Sequence, residues 1–424
     1  MRLTSSSDAI PVFDHQCSMY ITHLSLTNFR NFSRLDLAVP NGILLLVGDN
    51  AQGKTSLLEA IYFLSTFTSF HASNDSQLIN FLIRREPLAV GRIVADFTRG
   101  GISHRLEVRI IQEVVSSNGK TRVRKEILLD GIKRKINEVI GQFNAVLFLP
   151  QMLVVIEGSP SERRRYLNLI LSQAVPDYAA HLSAYDKAIS QRNALLKQLY
   201  ERGGDPDQLN YWDHQAALDG AFLVEARIHA IQEMEHIAAM IHLELTRSTE
   251  RLRLDYQPAY DPLPKTASQL RMNLDTPVVR SSFSKEQIFQ GFHQSLVQRR
   301  PEEINRGQTT IGPHRDELRF LANSIDLGTY GSRGQVRTTM LSLKLAEIIW
   351  LKGKTGHWPV LLLDEVLAEL DPIRREDLLI RLSESEQALL TTTDLDLFTP
   401  GFIENTRLWQ VSEGQVRSSS PSQA

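Results

Sequence analysis

The chain contains the octapeptide Gly48-Asp49-Asn50-Ala51-Gln52-Gly53-Lys54-Thr55, preceded by the apolar run Ile43-Leu44-Leu45-Leu46-Val47 and followed by Ser56-Leu57-Leu58-Glu59-Ala60-Ile61 with helical spacing. A chance glycine turn has neither flank; strand, glycine loop and helix together make G-x-x-x-x-G-K-[ST] a phosphate cradle. Gly48 and Gly53 let successive backbone N–H groups curl toward phosphate oxygens, and the helix that follows adds its positive end. Lys54 is placed to neutralise β- and γ-phosphate charge, and the Thr55 hydroxyl to hold Mg²⁺. The expected nucleotide contacts are Gly48, Asp49, Asn50, Ala51, Gln52, Gly53, Lys54, Thr55 and Ser56. The ligand expected here is a nucleotide held by its β- and γ-phosphates, with Mg²⁺.

The second half of such a site is Val360-Leu361-Leu362-Leu363-Asp364-Glu365. A strand buried on both faces is apolar throughout, and its acids then sit at the C-terminal edge where ligands collect in α/β sheets. Asp364 is a metal ligand in this reading, and Glu365 orients or deprotonates the attacking water. Lys54 and Asp364 lie 310 positions apart. The nucleotide-binding head is therefore assembled from both chain ends, with a helical lobe inserted between them; loop-closure entropy grows slowly enough to permit this.

A chain of 424 residues suggests two or three lobes. No apolar run is long enough to cross a bilayer, no signal-peptide core opens the chain, and Cys17 is the only cysteine. These features point to a cytoplasmic protein without disulfides or cysteine-bound metal. Net charge is −2, so affinity for nucleic acid must come from local basic surface. The expected division is a disordered extension or misassigned start at 1–18, the first part of the head with an antiparallel meander at 19–157, the helical lobe at 158–300, the second part of the head at 301–412, and a disordered tail at 413–424.

Alternating strands begin at Met19, and an antiparallel meander runs from Leu88 to Leu129 with turns at Asn118-Gly119 and Asp130-Gly131. Lys120, Arg122, Arg124, Lys125, Lys133, Arg134 and Lys135 cluster there, either as a solvated face or as a phosphate-binding surface. Ser159-Pro160-Ser161-Glu162 reads as a capping box opening a helix with Arg163-Arg164-Arg165 in its first turns. Cations there call for an anionic partner, phosphate or carboxylate. Helices are expected from Asp177 to Arg202 and from Leu209 to Thr246, forming a compact hairpin rather than a coiled coil, and a further helix from Lys285 to Arg300. His236 and His242 read as ordinary histidines, and Asp255 to Ser284 as loop.

Ser332-Arg333-Gly334-Gln335, leading into a helix from Thr339, resembles the signature motif of ABC-type ATPases. Leu367-Ala368-Glu369-Leu370-Asp371 resembles their D-loop, and Thr391-Thr392-Thr393-Asp394 lies where transporters carry a switch histidine, missing here. The opening Asn28-Phe29-Arg30-Asn31-Phe32, the phosphate loop, Gly158-Ser159-Pro160 with its arginines, Thr310-Ile311-Gly312-Pro313-His314-Arg315-Asp316-Glu317-Leu318, and Ser332 to Lys344 resemble the RecF family. These are recombination mediators related to SMC and ABC-type DNA-repair ATPases, and the likeness runs from Met19 to about Ser412. Thr68 to Ser73 departs from the family's more basic segment. Gln151 stands where the family has an acid, and ABC ATPases place glutamine near the metal.

The resemblance implies an α/β ABC-type head of mixed sheets and helices, and two ATP molecules sandwiched in a head-to-head homodimer. Ser332, Gly334 and Gln335 would act in trans on the nucleotide held by Lys54. Arg30 would touch the phosphates in cis, Asp371 would lie at the dimer seam, and Gln151 would serve at the metal and in catalysis. It further implies a weak DNA-stimulated ATPase that binds duplex and gapped DNA and cooperates with RecR and RecO to load RecA, without a membrane partner. For Gly312 to Leu318 a buried polar brace and a seam contact are both open. Competing readings are a DNA-binding scaffold with a structural ATP site and a transporter ATPase subunit.

Overall fold

The computed structural model describes residues 18–115, 121–263 and 279–419. Strands, numbered in chain order, are β1 (Met19–Phe29), β2 (Phe32–Ala38), β3 (Gly42–Val47), β4 (Leu88–Arg99), β5 (Ile102–Val114), β6 (Thr121–Leu129), β7 (Ile132–Arg134) and β8 (Ala145–Phe148). The second half supplies β9 (Leu252–Gln257), β10 (Glu317–Ala322), β11 (Ile325–Asp326), β12 (Val360–Asp364), β13 (Gln387–Thr392), β14 (Arg407–Ser412) and β15 (Gln415–Ser419).

The central sheet runs β15-β14-β3-β13-β12-β8, parallel except for β15 at its edge. Its strands come from both ends of the chain. They are apolar throughout because alternate residues serve different cores. Leu45, Val146, Phe148, Leu361 and Leu363 face the helices, whereas Leu44, Leu46, Ala145, Leu147 and Leu362 face the opposite core. With a side-chain period of two, that is what double burial demands. On the second side the Lys54–Thr66 helix lies between this sheet and an antiparallel sheet ordered β2-β1-β4-β5-β6-β7. Squeezed from both sides, it is buried almost all round, so its residues carry little amphipathic pattern.

The other face packs on the helices Pro160–Ala174, Tyr178–Arg202, Asn210–Leu245, Lys285–Arg306 and Arg333–Thr355, with a small sheet β11-β10-β9 alongside. Gly220 lets the Asn210–Leu245 helix approach closely: a Cβ there would stand 2.5 Å from Phe292 and 3.0 Å from Tyr185. The lobe is pinned by buried ion pairs. Arg192 meets Asp213 and Glu303 at 2.6 Å each, and Arg300 meets Asp213.

Gly312 to Leu318 belongs to a polar brace of the same kind. Asp316 accepts from Arg227 at 2.7 Å, Tyr256 at 2.5 Å and the Ala259 backbone at 2.9 Å, joining three segments at one carboxylate. Tyr185 bonds His314, and burial pushes the pKa of that imidazole down to about 4. Breaking one partner of such a buried pair costs about 3–5 kcal/mol.

Several local expectations change. The helix opened by Lys285 continues through Pro301 to Arg306, so a lobe boundary at residue 300 would cut it. β9 occupies part of the stretch read as loop. The signature helix starts at Arg333, six residues before Thr339. Pro160 does begin a helix, but Ser159 provides no side-chain cap; its hydroxyl pairs with Ser161 instead. Residues 413–419 are not a disordered tail. They turn and pair as β15 against β14. The Asp130-Gly131 turn joins β6 to β7, whereas Asn118-Gly119, Lys120 and residues 1–17 lie outside the described residues. Among those described, no helix is long and apolar enough to cross a membrane.

Candidate functional site: a phosphate cradle and a separate signature helix

Parallel strands deliver the site. β3 ends at Val47 and opens into the loop 48–53, while neighbouring β13 and β12 bring Thr391 and Asp364 to the same edge, paired in register. Gly53 has φ +113, and a Cβ on it would fall 2.7 Å from Asn31 and 2.9 Å from Phe32. The loop can close over the β1–β2 turn only without a side chain here.

Lys54 is 4% exposed, and its ammonium folds back on the loop: it donates to Gly48 O at 2.5 Å and Asp49 O at 3.1 Å, and lies 3.4 Å from Glu365 Oε1. Thr55 Oγ1 donates to the Asp364 carboxylate at 2.9 and 3.0 Å. The two motifs separated by so much chain thus meet at hydrogen-bond distance. Glu365 has φ +53, a conformation disfavoured for a residue with a side chain. Its N–H is held by Thr391 Oγ1 at 3.0 Å, while the same hydroxyl donates to Asp364 Oδ1 at 2.7 Å. Thr391 therefore organises both acids.

Sequence reasoning noticed Thr391 only as part of a stretch lacking histidine. The sequence offers only a hydroxyl at the end of an apolar strand; that this strand lies beside the acidic one is decided by the fold.

The cavity is lined by Arg30, Asn31, residues 49–56, Gln77, Ile79, Phe81, Arg84 and Glu365. Arg30 reaches it, but its guanidinium grips buried Glu59 through two 2.6 Å bonds and donates to Gln77 O at 3.1 Å. Three of its five N–H groups are thus used within the chain. Glu59 also accepts from Ser69. Gln52 is anchored from an unforeseen direction: its side chain accepts from Glu413 N at 2.6 Å, and its carbonyl from Gly414 N at 3.3 Å. The β14–β15 turn, in the stretch expected to be disordered, steadies the phosphate loop.

The remaining candidates lie elsewhere. Gln151 is exposed on the 3₁₀ turn Pro150–Leu153 after β8 and does not line the cavity. Ser332 caps the Arg333–Thr355 helix: its Oγ accepts from Gln335 N at 3.3 Å, and Gln335 Oε1 accepts from Ser332 N at 3.0 Å. This reciprocal capping box explains the Ser-x-x-Gln spacing structurally. Ser332 and Gly334 are exposed, and neither they nor Gln335 line the cavity. Asp371 caps the Pro372–Leu382 helix by accepting from Arg374 N at 3.1 Å. An Arg337–Glu369 ion pair ties the signature helix to the turn before Asp371.

The arginine helix is braced internally. Arg163 forms a two-pronged pair with Glu317 at 2.6 and 2.9 Å, Arg164 donates to Asp316 O, and Arg165 to Ser69 O. The anion for the first of them is a carboxylate of the chain itself. In the β6–β7 strip, Arg124 pairs with Glu113 and Glu126, Lys125 with Asp75, and Lys133 with Glu126. Arg122, Arg134 and Lys135 are exposed.

Comparison with known proteins matches this architecture. The family model described as RecF/RecN/SMC N terminal domain covers residues 20–415. The DNA replication and repair protein RecF of Roseiflexus castenholzii is 38% identical over 412 residues, spanning 94% of this chain and 99% of that protein. Its counterpart in Lacticaseibacillus paracasei is 36% identical over 400 residues, with the same coverage. A solved structure of the recombination mediator protein RecF with ATP, from the RecFOR pathway, superposes with a TM-score of 0.79 at 30% identity, covering 96% of this chain and all of the other. The transporter reading falls away, and the chain belongs to the RecF family of DNA replication and repair proteins.

Proposed function

We propose that the chain is an ATP-dependent DNA-binding protein of recombinational repair and replication restart. In this reading it dimerises on ATP at gapped duplex DNA, helps RecR and RecO load RecA, and is released by weak, DNA-stimulated hydrolysis. Its place is the cytoplasm, at the nucleoid. The observation that carries the reading is the split of the site: Lys54, Thr55, Asp364, Glu365 and Thr391 converge within one chain, while exposed Ser332 and Gly334, with half-buried Gln335, lie outside the cavity.

Thr55 and Asp364 offer a hydroxyl and a carboxylate already in contact, an all-oxygen pair of the kind Mg²⁺ takes. When bound, the ion neutralises charge on the β- and γ-phosphate oxygens. Lys54 exchanges its loop carbonyls for phosphate, and the loop N–H groups cradle the same oxygens. Glu365 orients a water in line with the γ-phosphate and accepts its proton, its backbone steadied by Thr391. Signature residues of a second copy close the far side, with Asp371 at the seam, so nucleotide favours the dimer by its differential affinity. Hydrolysis removes the bridging phosphate.

Steady-state ATPase measurement with and without duplex DNA tests this. Glu365→Gln should still dimerise on ATP while turnover falls by roughly 100-fold or more, the range for losing a general base. Equal, near-zero turnover in wild type and variant favours a non-hydrolysing scaffold.

A further inference from the structure

Glu250 lies beyond the Asn210–Leu245 helix, outside the phosphate loop, the acidic strand and the signature motif. Its Oε1 accepts from Gln335 Nε2 at 2.9 Å, and its Oε2 from His242 Nε2 at 3.3 Å. His242 is fully buried, and its other ring nitrogen is 3.0 Å from Ser342 Oγ on the signature helix itself. Glu250 is 21% exposed, so its carboxylate is held by the lobe rather than swinging in solvent.

This arrangement settles which way the Gln335 amide points. A carboxylate only accepts, so it can engage only the NH₂ end of the amide. That turns Gln335 Oε1 toward Ser332 N, where it accepts at 3.0 Å. The reversed amide would set NH₂ against N–H, donor against donor. Ser332 Oγ, accepting from Gln335 N, keeps its hydroxyl hydrogen available to donate outward.

We propose that Glu250 is a positioning residue for the contact made in trans. It sets the orientation of the Gln335 amide and, through the capping box, the Ser332 hydroxyl that meets the triphosphate held by a second copy of the chain. This rests on the trans assignment given under the proposed function.

The test uses the full chain and three substitutions, Glu250→Gln, Glu250→Ala and Glu250→Lys. Sedimentation with and without ATP gives the protein concentration at half dimerisation; titration of a fluorescent ATP analogue gives monomer affinity; melting without nucleotide checks the fold. Glu250→Lys, whose ammonium can engage only the amide oxygen, turns the amide round and raises the half-dimerisation concentration by roughly tenfold or more. Glu250→Ala shows a smaller rise, and Glu250→Gln, which can still accept, stays within about twofold. Monomer affinity remains that of wild type, and melting falls alike in Glu250→Ala and Glu250→Lys, which both leave the buried His242 N–H without its acceptor; dimerisation separates the two, a split that a merely structural role would not produce. Dimerisation of Glu250→Lys at the wild-type concentration overturns the proposal, as does an equal loss in Glu250→Gln. Wild type staying monomeric with ATP overturns the trans assignment itself, and that result is visible before any variant is made.

Discussion

The polar groups at the phosphate cradle and those at the signature helix are satisfied in opposite ways. At the cradle the chain supplies its own partners: Lys54 rests on loop carbonyls, Asp364 on two hydroxyls, and Glu365 N–H on Thr391. At the signature helix, Ser332 and Gln335 satisfy only each other and Glu250, and Ser332 and Gly334 face outward. In the proposed reading the first region holds the nucleotide, and the second is a pre-arranged surface for a second copy of the chain. The same distinction divides the basic residues: Arg163 is closed off by Glu317, while Arg134 and Lys135 point outward.

The largest expected effect breaks the two ends apart. Lys54→Ala should lose about 3 kcal/mol of charge-assisted phosphate binding, roughly 100-fold in affinity, and dimerisation with it. Ser332→Arg should bind ATP within about threefold of wild type and yet sediment as a monomer, because a bulky cation blocks a surface that contributes nothing to binding in cis. If Ser332→Arg dimerises normally, the two ends do not act on each other across a seam.

Next in size is Thr391→Ala, which sharpens the account of the self-satisfied end. It removes the shorter of two hydroxyl bonds to Asp364 Oδ1 and leaves the Glu365 N–H without its partner. The expected cost of about 1–3 kcal/mol appears as a fall in ATP turnover of roughly 10- to 100-fold, with the dimer retained. Turnover equal to wild type would mean that the strained Glu365 backbone needs no such support.

The smallest effect concerns the outward-facing cations. Reversing charge at Lys133, Arg134 and Lys135 together should weaken duplex binding by roughly tenfold, and flatten the logarithmic salt dependence by about one unit for each DNA phosphate no longer neutralised. Binding and slope unchanged would move the DNA footprint elsewhere. Reversing Arg163 is not an equivalent experiment, since it leaves Glu317 without its partner and destabilises the lobe. The proximity of three arginines in sequence suggested a ligand surface; Glu317 consumes Arg163, whereas Arg164 is half-buried and Arg165 exposed, each with one bond to a backbone carbonyl.

Much of the nucleotide site was legible because its parts are local. A glycine loop needs only the strand before it and the helix after it, and an apolar run ending in two acids declares both double burial and its functional edge. The capping-box spacing at Ser332 was likewise present in four residues, although the helix start was placed late. Thr391, Glu59, Glu250 and the Glu413–Gly414 turn were not legible as parts of the site, since each acts on a residue far away in sequence. A threonine after an apolar strand becomes a support for Asp364 only when β13 settles beside β12.

The sequence by itself determined the periodicities, the phosphate loop, the acidic strand and the long helices, because these follow from backbone geometry and side-chain spacing over short spans. Tertiary structure alone decided which charges are spent inside the molecule and which remain outside. Asp316 could be a brace or a seam contact until Arg227 and Tyr256 closed on it, and Gln52 could be a free loop tip until Glu413 and Gly414 packed against it. Whether a polar group meets water, a ligand or another part of the chain depends on desolvation and partners brought from distant positions, and no local pattern encodes that.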